Sequence, residues 1–190
     1  MIWHRDPRPR TSRPTAGRVR RLMAAAFLAA LMTVPGLAAG AELPAPTGKV
    51  VLSVTGMIRH ANDLLDGRRA AHFDRTMFEA LGASALKTTT FWTKGEHLFE
   101  GVDGRALLDR VGAHGSRALA TALNDYQVEI PLSDFTDHAV MLALKQDGEY
   151  LKIRNKGPIW VIYPAGQTAG LAERELLARS VWQLRHLEIQ

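Results

Sequence analysis

VMLALKQDGEYLKIRNKGPIWVIYP, residues 140–164, is the stretch that decides the fold. Its first five residues are apolar, and the Asp147-Gly148 pair after them predicts a tight hairpin turn between two strands. Gly157-Pro158 then opens the most apolar predicted strand, Ile159 to Tyr163, which Pro164 closes. A strand without polar alternation is typically buried on both faces, so we predict that this one lies centrally in a sheet.

Outward from this stretch, further short strands and a few short helices follow the same kind of signals. Helices are predicted after an N-cap at Asp74, over 105–111 with a stop at Gly112, and over 171–178. Strands are predicted over 49–57, 86–92, 119–123, 126–130 and 181–189, and a loop or irregular hairpin over 59–69. The prediction is an α+β fold with strand-rich mixed sheets and short helices, since strands outnumber helices.

The first 41 residues have the pattern of an export signal. Residues 1–21 carry seven arginines and a single acid, residues 22–34 are uncharged, and Ala39-Gly40-Ala41 offers small residues at a cleavage site. This order is typical of a cleavable signal peptide, so we predict a periplasmic protein. An uncleaved anchor is the alternative, and Arg20-Arg21 leaves open a twin-arginine rather than a general secretory route. Residues 42–48 then form a flexible tether, and residues 49–190 form one domain.

Removing the leader changes the charge of the protein. The chain has 24 basic and 19 acidic residues. Seven bases and one acid lie in the leader, so residues 42–190 keep 17 bases and 18 acids. The basic composition is therefore a targeting feature, and we predict no nucleic-acid partner. The chain has no cysteine, which excludes thiol catalysis, thiolate metal sites and iron–sulfur ligation.

Few residues outside the leader have the spacing of a catalytic or metal-binding motif. No histidine after the leader has a second histidine three or four positions away, so we predict no metal site. His97 attracts attention because it sits in a glycine-flanked loop, 94–101, after a threonine run. We interpret Asp134 and Asp137 as turn or cap residues and Trp160 and Tyr163 as packing residues.

The threonine run, Thr88 to Thr93, has two interpretations. Threonine is β-branched, so the run is consistent with an ordinary strand. Alternatively, its hydroxyl groups and the indole of Trp92 line a polar pocket that binds a heterocycle or an oxyanion. The residues alone leave both interpretations open.

From residue 88 onward the sequence resembles the molybdopterin-binding oxidoreductase domain, a sulfite-oxidase-like fold, in its small stand-alone bacterial form. The resemblance rests on pieces that occur in the family's order. They are TTTFWT (88–93), FEGV (99–102), NDY (124–126), IPL (130–132), LALKQDGEYL (142–151), GPIWVIYP (157–164), SVWQL (180–184) and LEI (187–189). The resemblance implies an oxidoreductase fold and a molybdopterin cofactor.

The sequence departs from that family at the residue on which its chemistry depends. In catalytic members a cysteine gives molybdenum a sulfur ligand, and here the threonine run takes its place. The hydroxyl group of threonine is a hard ligand, so it does not replace the soft thiolate of cysteine on molybdenum. Lys156 and Trp160 stand where the family has a glycine and an arginine. The resemblance places any bound pterin near Thr90, Trp92, His97, Asn155 and Lys156.

We therefore predict a non-catalytic module that binds a ligand or a partner, as a sensor or accessory protein. Its expected partners are a small molecule and a membrane-bound redox or sensor protein, and no cofactor is expected. The alternative is a periplasmic molybdopterin-dependent oxidoreductase with atypical metal ligation. A structural domain without a ligand is the third hypothesis. No catalytic residue is assigned.

Overall fold

The structure is a computed structural model that describes residue 1 and residues 43–190. Residues 2–41 of the predicted signal peptide, including its whole cleavage site, lie outside the described residues. The chain divides into two units, Met1–Ala39 and Gly40–Gln190, and the fold below is that of the second. Across residues 43–190 there is no helix with the length and apolar character needed to span a membrane.

The larger sheet has six strands in the order β2-β3-β1-β11-β6-β7. Its central pair, β1 and β11, is parallel, and every other neighbouring pair is antiparallel. The strands are β1 (Val50–Gly56), β2 (Asp63–Leu65), β3 (Arg68–Asp74), β6 (Arg117–Ala122), β7 (Gln127–Pro131) and β11 (Leu184–Ile189).

The smaller sheet is antiparallel and runs β10-β8-β5-β4, with β9 paired to β8. The turn between β8 and β9 is the predicted Asp147-Gly148 hairpin. The strands are β4 (Ser84–Thr88), β5 (His97–Asp103), β8 (Met141–Gln146), β9 (Glu149–Tyr150) and β10 (Trp160–Ile162).

The helices are short and connect the strands: α1 (Arg75–Glu79), α2 (Gly104–Val111), α3 (Leu132–Asp137) and α4 (Glu173–Arg179). Asp74 caps α1 by accepting the Met77 N–H at 2.9 Å, as predicted. Gly112 ends α2 with a left-handed φ of 62°, which glycine adopts readily. Two strand-rich sheets, of which the larger is mixed, are combined with short helices, so the predicted α+β class is confirmed.

The strand that we predicted to be central, β10, instead lies at the edge of the smaller sheet. Its open side is covered by the segment that leads into β11. Val161 N–H donates to the Val181 carbonyl at 2.9 Å, and Leu184 N–H donates to the Ile159 carbonyl at 3.0 Å. The segment that follows along the chain covers this edge, so the strand is fully buried. An apolar composition therefore indicates burial but does not indicate a central position in the sheet.

The predicted loop or irregular hairpin over 59–69 contains the Asp66-Gly67 turn between the paired strands β2 and β3, so the hairpin alternative is confirmed. Two other segments that were predicted to be irregular are regular. The segment of Asp134 and Asp137 forms α3, with Asp134 and Phe135 buried. The glycine-flanked loop around His97 is largely strand β5, whereas the predicted strand 86–92 leaves the sheet after Thr88.

Candidate functional site

The threonine run turns away from the sheet at Thr88, the last residue of β4. The Thr88 hydroxyl is buried, accepts the Ala165 N–H at 2.9 Å and donates to the Thr89 carbonyl at 3.2 Å. The hydroxyl groups of Thr90 and Thr93 form a hydrogen bond with each other, and their oxygens lie 2.9 Å apart. Thr88 therefore ties β4 to the loop after β10, and the interpretation of the run as an alternating strand is wrong beyond this residue.

Trp92 stands at the centre of an aromatic cluster. Its ring centroid lies 6.0 Å from that of Trp160 and 5.3 Å from that of Trp182, both in edge-to-face arrangements. Phe91 contacts Trp92 in the same way at 5.9 Å. Such aromatic pairs hold each ring in a defined orientation, so Trp92 forms a fixed wall.

A pocket of about 300 Å³ opens beside Trp92, and we call it the tryptophan pocket. Its size is at the lower end of the range for small-molecule sites. It is lined by the threonine run, by β10 and by residues of the following loop and α4: Thr89, Thr90, Phe91, Trp92, Trp160, Val161, Ile162, Tyr163, Ala165, Gly166, Thr168, Leu176 and Ser180. None of the described residues that line it is charged.

One polar atom of a residue that lines the pocket lacks a partner. Trp160 is fully buried, and among the described residues its indole Nε1 meets no hydrogen-bond acceptor. A buried donor without an acceptor costs stability, and such atoms are rare in folded proteins. A ligand that brings an acceptor to Trp160 would satisfy this N–H group.

A network of charged side chains contacts Tyr163, one of the residues that line the pocket. The Tyr163 hydroxyl donates to Asp134 Oδ2 at 2.7 Å, and Arg179 Nη1 lies 3.1 Å from the same oxygen. Arg179 Nη2 also bonds to Glu175 at 3.1 Å. Burial, followed by the bond to Asp134, raises the pKa of Tyr163 far above its ordinary value. Our interpretation of Asp134 as a turn or cap residue is wrong, because its carboxylate is a buried partner of both side chains.

Of the five predicted site residues, Thr90 and Trp92 line the pocket. Lys156 reaches the same cluster, with Nζ 5.0 Å from the Trp160 ring centroid and 5.2 Å from that of Trp182. Asn155 is exposed at the end of a 3-10 helix, Ile153–Asn155. The fold therefore brings three of the five residues, Thr90, Trp92 and Lys156, together around the tryptophans.

His97 lies in a different place, at the turn between β8 and β9. Its Nδ1 is 2.6 Å from Asp147 Oδ2, and Gln146 contacts the same nitrogen at 3.1 Å. The hydrogen bond to Asp147 raises the pKa of His97, and the same bond lowers the pKa of Asp147. His97 joins β5 to the hairpin and is not among the residues that line the tryptophan pocket.

Sequence reasoning missed Tyr163 and Trp160 as site residues. Both lie in an apolar run that we interpreted as packing, although tyrosine and tryptophan each carry one polar atom that needs a partner when buried. Within residues 43–190, no group of three histidine or acidic side chains is placed to hold a metal ion.

Comparison with known proteins gives a family match and similar solved structures. A family model described as the oxidoreductase molybdopterin binding domain matches residues 70–171, more than half of the chain. The match begins earlier than the resemblance noted from the sequence. The structure is similar to sulfane dehydrogenase SoxCD from Paracoccus pantotrophus, with 18% identity and a TM-score of 0.48, over 73% of this chain and 37% of that chain. No curated protein matches the sequence.

Proposed function

The chain belongs to the oxidoreductase molybdopterin binding domain family, and on that premise we propose that it is a non-catalytic ligand-binding module. Its ligand is a small, uncharged, planar molecule that binds in the tryptophan pocket. The observation that carries this proposal is the Trp160 N–H, a buried donor without an acceptor among the described residues, on a side chain that lines an uncharged pocket. A ligand with a carbonyl or ring nitrogen supplies that acceptor.

The residues of the pocket do not fit a molybdenum cofactor. The chain has no cysteine to give the metal a sulfur ligand. The Thr88 hydroxyl, which lies in the run that replaces the cysteine, is already engaged by Ala165 and Thr89. The phosphate of a pterin cofactor calls for cationic partners. The described lining is uncharged, Arg179 is paired with two carboxylates, and Lys156 lies over two tryptophan rings without lining the pocket.

The same residues suit a neutral heterocycle. Trp92 and Phe91 present aromatic surface, which favours a flat ligand. The hydroxyl groups of Thr90 and Ser180 provide donors and acceptors at the edge of that surface. A pocket with apolar walls and a few polar groups selects a ligand by shape and by its hydrogen bonds.

The first experiment is metal and pterin analysis of protein exported from cells that make molybdenum cofactor. We expect neither molybdenum nor tungsten at stoichiometric amounts. The alternative function, a molybdopterin-dependent oxidoreductase with atypical ligation, predicts near-stoichiometric metal together with pterin. That result would overturn the binding-module proposal.

The second experiment tests the pocket directly with unsubstituted pterin, a neutral planar probe. We expect binding that Trp160→Phe weakens about tenfold, since this change keeps a ring but removes the N–H donor. Trp182→Phe is the matched control, because Trp182 contacts Trp92 but is not among the residues that line the pocket. Equal affinity in both variants would contradict the assigned role of Trp160.

We further propose that the protein is exported to the periplasm, loses residues 1–41, and there contacts a membrane-bound redox or sensor protein. The arginine-rich start, the uncharged run and the small residues before Glu42 support the export step. The mass of the protein recovered from the periplasm tests it. A recovered chain that retains the leader would instead indicate an anchor.

A further inference from the structure

A second cavity lies away from the tryptophan pocket. It has a volume of about 1,100 Å³ and forms where β1 and β11 meet the segment from β9 through the 3-10 helix. We call it the cationic cleft because five lysine and arginine residues line it: Lys49, Arg75, Lys152, Arg154 and Arg185. Glu149 is the one acidic residue among its described lining residues.

This concentration of positive charge is unusual for the domain. Residues 42–190 carry slightly more acids than bases, so an even distribution would leave the cleft near neutrality. Within residues 43–190, no carboxylate pairs with Lys49, Lys152 or Arg154. Arg185 pairs with Asp125, and Arg75 stacks on the ring of Tyr150 with its Cζ 4.4 Å from the centroid. Three cations are thus available to an anion.

The cleft also gathers exposed apolar side chains. Ile153 is 56% exposed, and four other large apolar residues that line the cleft are more than one-third exposed: Val50, Leu65, Leu123 and Tyr150. Isolated exposed apolar residues are ordinary on a protein surface, but a contiguous group beside a cavity indicates binding. Hydrocarbon surface and unpaired cations therefore lie in one cavity.

We propose that the cationic cleft binds a monomeric anionic amphiphile, a molecule with a phosphate or carboxylate head and an apolar body. The head group contacts Lys49, Lys152 and Arg154, and the apolar body covers Val50, Leu65 and Ile153. This site is independent of the tryptophan pocket, which is uncharged and shares none of these residues.

The test measures dodecyl phosphate binding to the purified protein by calorimetry, below the concentration at which the probe forms micelles. Inorganic phosphate and dodecyl maltoside supply the anionic head and the apolar body separately. We expect dodecyl phosphate to bind about tenfold or more tightly than either of them, and more weakly as salt is added. Dodecyl maltoside binding with equal affinity would overturn the proposal, because charge would then contribute nothing.

A pair of triple variants assigns the binding to this cleft. Lys49→Gln/Lys152→Gln/Arg154→Gln should bind dodecyl phosphate about tenfold more weakly. Lys87→Gln/Lys94→Gln/Arg105→Gln removes the same charge from exposed residues that do not line the cleft and should bind normally. Equal losses in both variants would overturn the site. Binding to phosphatidylglycerol vesicles without binding of the monomer would also overturn it, in favour of a membrane surface.

Discussion

The charged residues of the network at the tryptophan pocket are paired with one another, whereas several of those in the cationic cleft are unpaired within the described part of the chain. Beside the pocket, Asp134 and Arg179 are largely buried and bonded to each other, and the described lining itself is uncharged. In the cleft, Lys152 and Arg154 are exposed, and no described carboxylate pairs with them. Buried charges must be paired to be tolerated, whereas exposed charges need no partner in the fold. The first set therefore stabilises the domain, and the second remains available to a ligand.

The largest effect that this comparison predicts is at Asp134. Asp134→Ala should lower the free energy of unfolding by about 3–5 kcal/mol, because the buried Tyr163 hydroxyl loses its acceptor. Arg179 then keeps only the partly exposed Glu175 as a partner. Chemical denaturation measures the change. Asp137→Ala, in the same helix but exposed, should stay within about 0.5 kcal/mol. If the two variants lost similar stability, the contrast between buried and exposed charge would fail.

Tyr163→Phe should have the next largest effect. It removes the hydroxyl that donates to Asp134 while Arg179 remains bonded, so we expect a loss of about 1–3 kcal/mol in the free energy of unfolding. Tyr126→Phe is the control, since its hydroxyl bonds to the Ala178 carbonyl at an exposed position. A loss at Tyr126 as large as that at Tyr163 would mean that burial does not decide the cost.

The pair of His97 and Asp147 is an intermediate case, paired but exposed. The raised pKa of His97 gives stability that is present below pH 6.5 and is lost as the pH rises through that raised pKa. The lowered pKa of Asp147 gives stability that is present above pH 3.8 and is lost as the pH falls through that lowered pKa. Removing the pair should therefore lower the Tm most between pH 3.8 and 6.5.

His97→Gln, Asp147→Asn and the double variant form a cycle that isolates the pair. The coupling in Tm should be present at pH 5 and should shrink as the pH rises through the raised pKa of His97, where the imidazole loses its charge. Coupling that stays constant from pH 5 to pH 9 would indicate a hydrogen bond without a charge contribution.

The smallest effect should come from the cleft. Lys49→Gln/Lys152→Gln/Arg154→Gln should leave the free energy of unfolding unchanged or slightly raised, because like charges are removed and no pair within the described chain is broken. Thermal unfolding in low and high salt measures this. A clear loss of stability would mean that these cations support the fold and are not free for a ligand.

Local signals in the sequence were sufficient for much of the fold. The Asp147-Gly148 turn, the Asp74 cap and the Gly112 stop all depend on residues close together in the chain, and each was placed correctly. The position of β10 was not, because its edge is covered by Val181 and Leu184, about twenty residues further along. Burial by a distant segment leaves no local signal in a strand.

The two candidate sites show the same limit. Thr90, Trp92 and Lys156 could be named because the family resemblance places any bound pterin near them. The cleft could not be found, since its cations stand at positions 49, 75, 152, 154 and 185 and meet only in the folded domain. Of the two interpretations of the threonine run, the strand fails beyond Thr88, where β4 ends and the hydroxyl accepts the Ala165 N–H.

The parallel pair at the centre of the larger sheet has a consequence for the time course of folding. β1 and β11 are joined through Thr55 and His186, which are 131 positions apart and bond at 2.7 Å. Contacts between such distant residues slow folding, because a long loop must close before they form. The sheet cannot close until residues 184–189 have been synthesised. A nascent chain therefore exposes the edges of β1 and β6 throughout its synthesis, and it depends on rapid closure or on a chaperone to avoid aggregation.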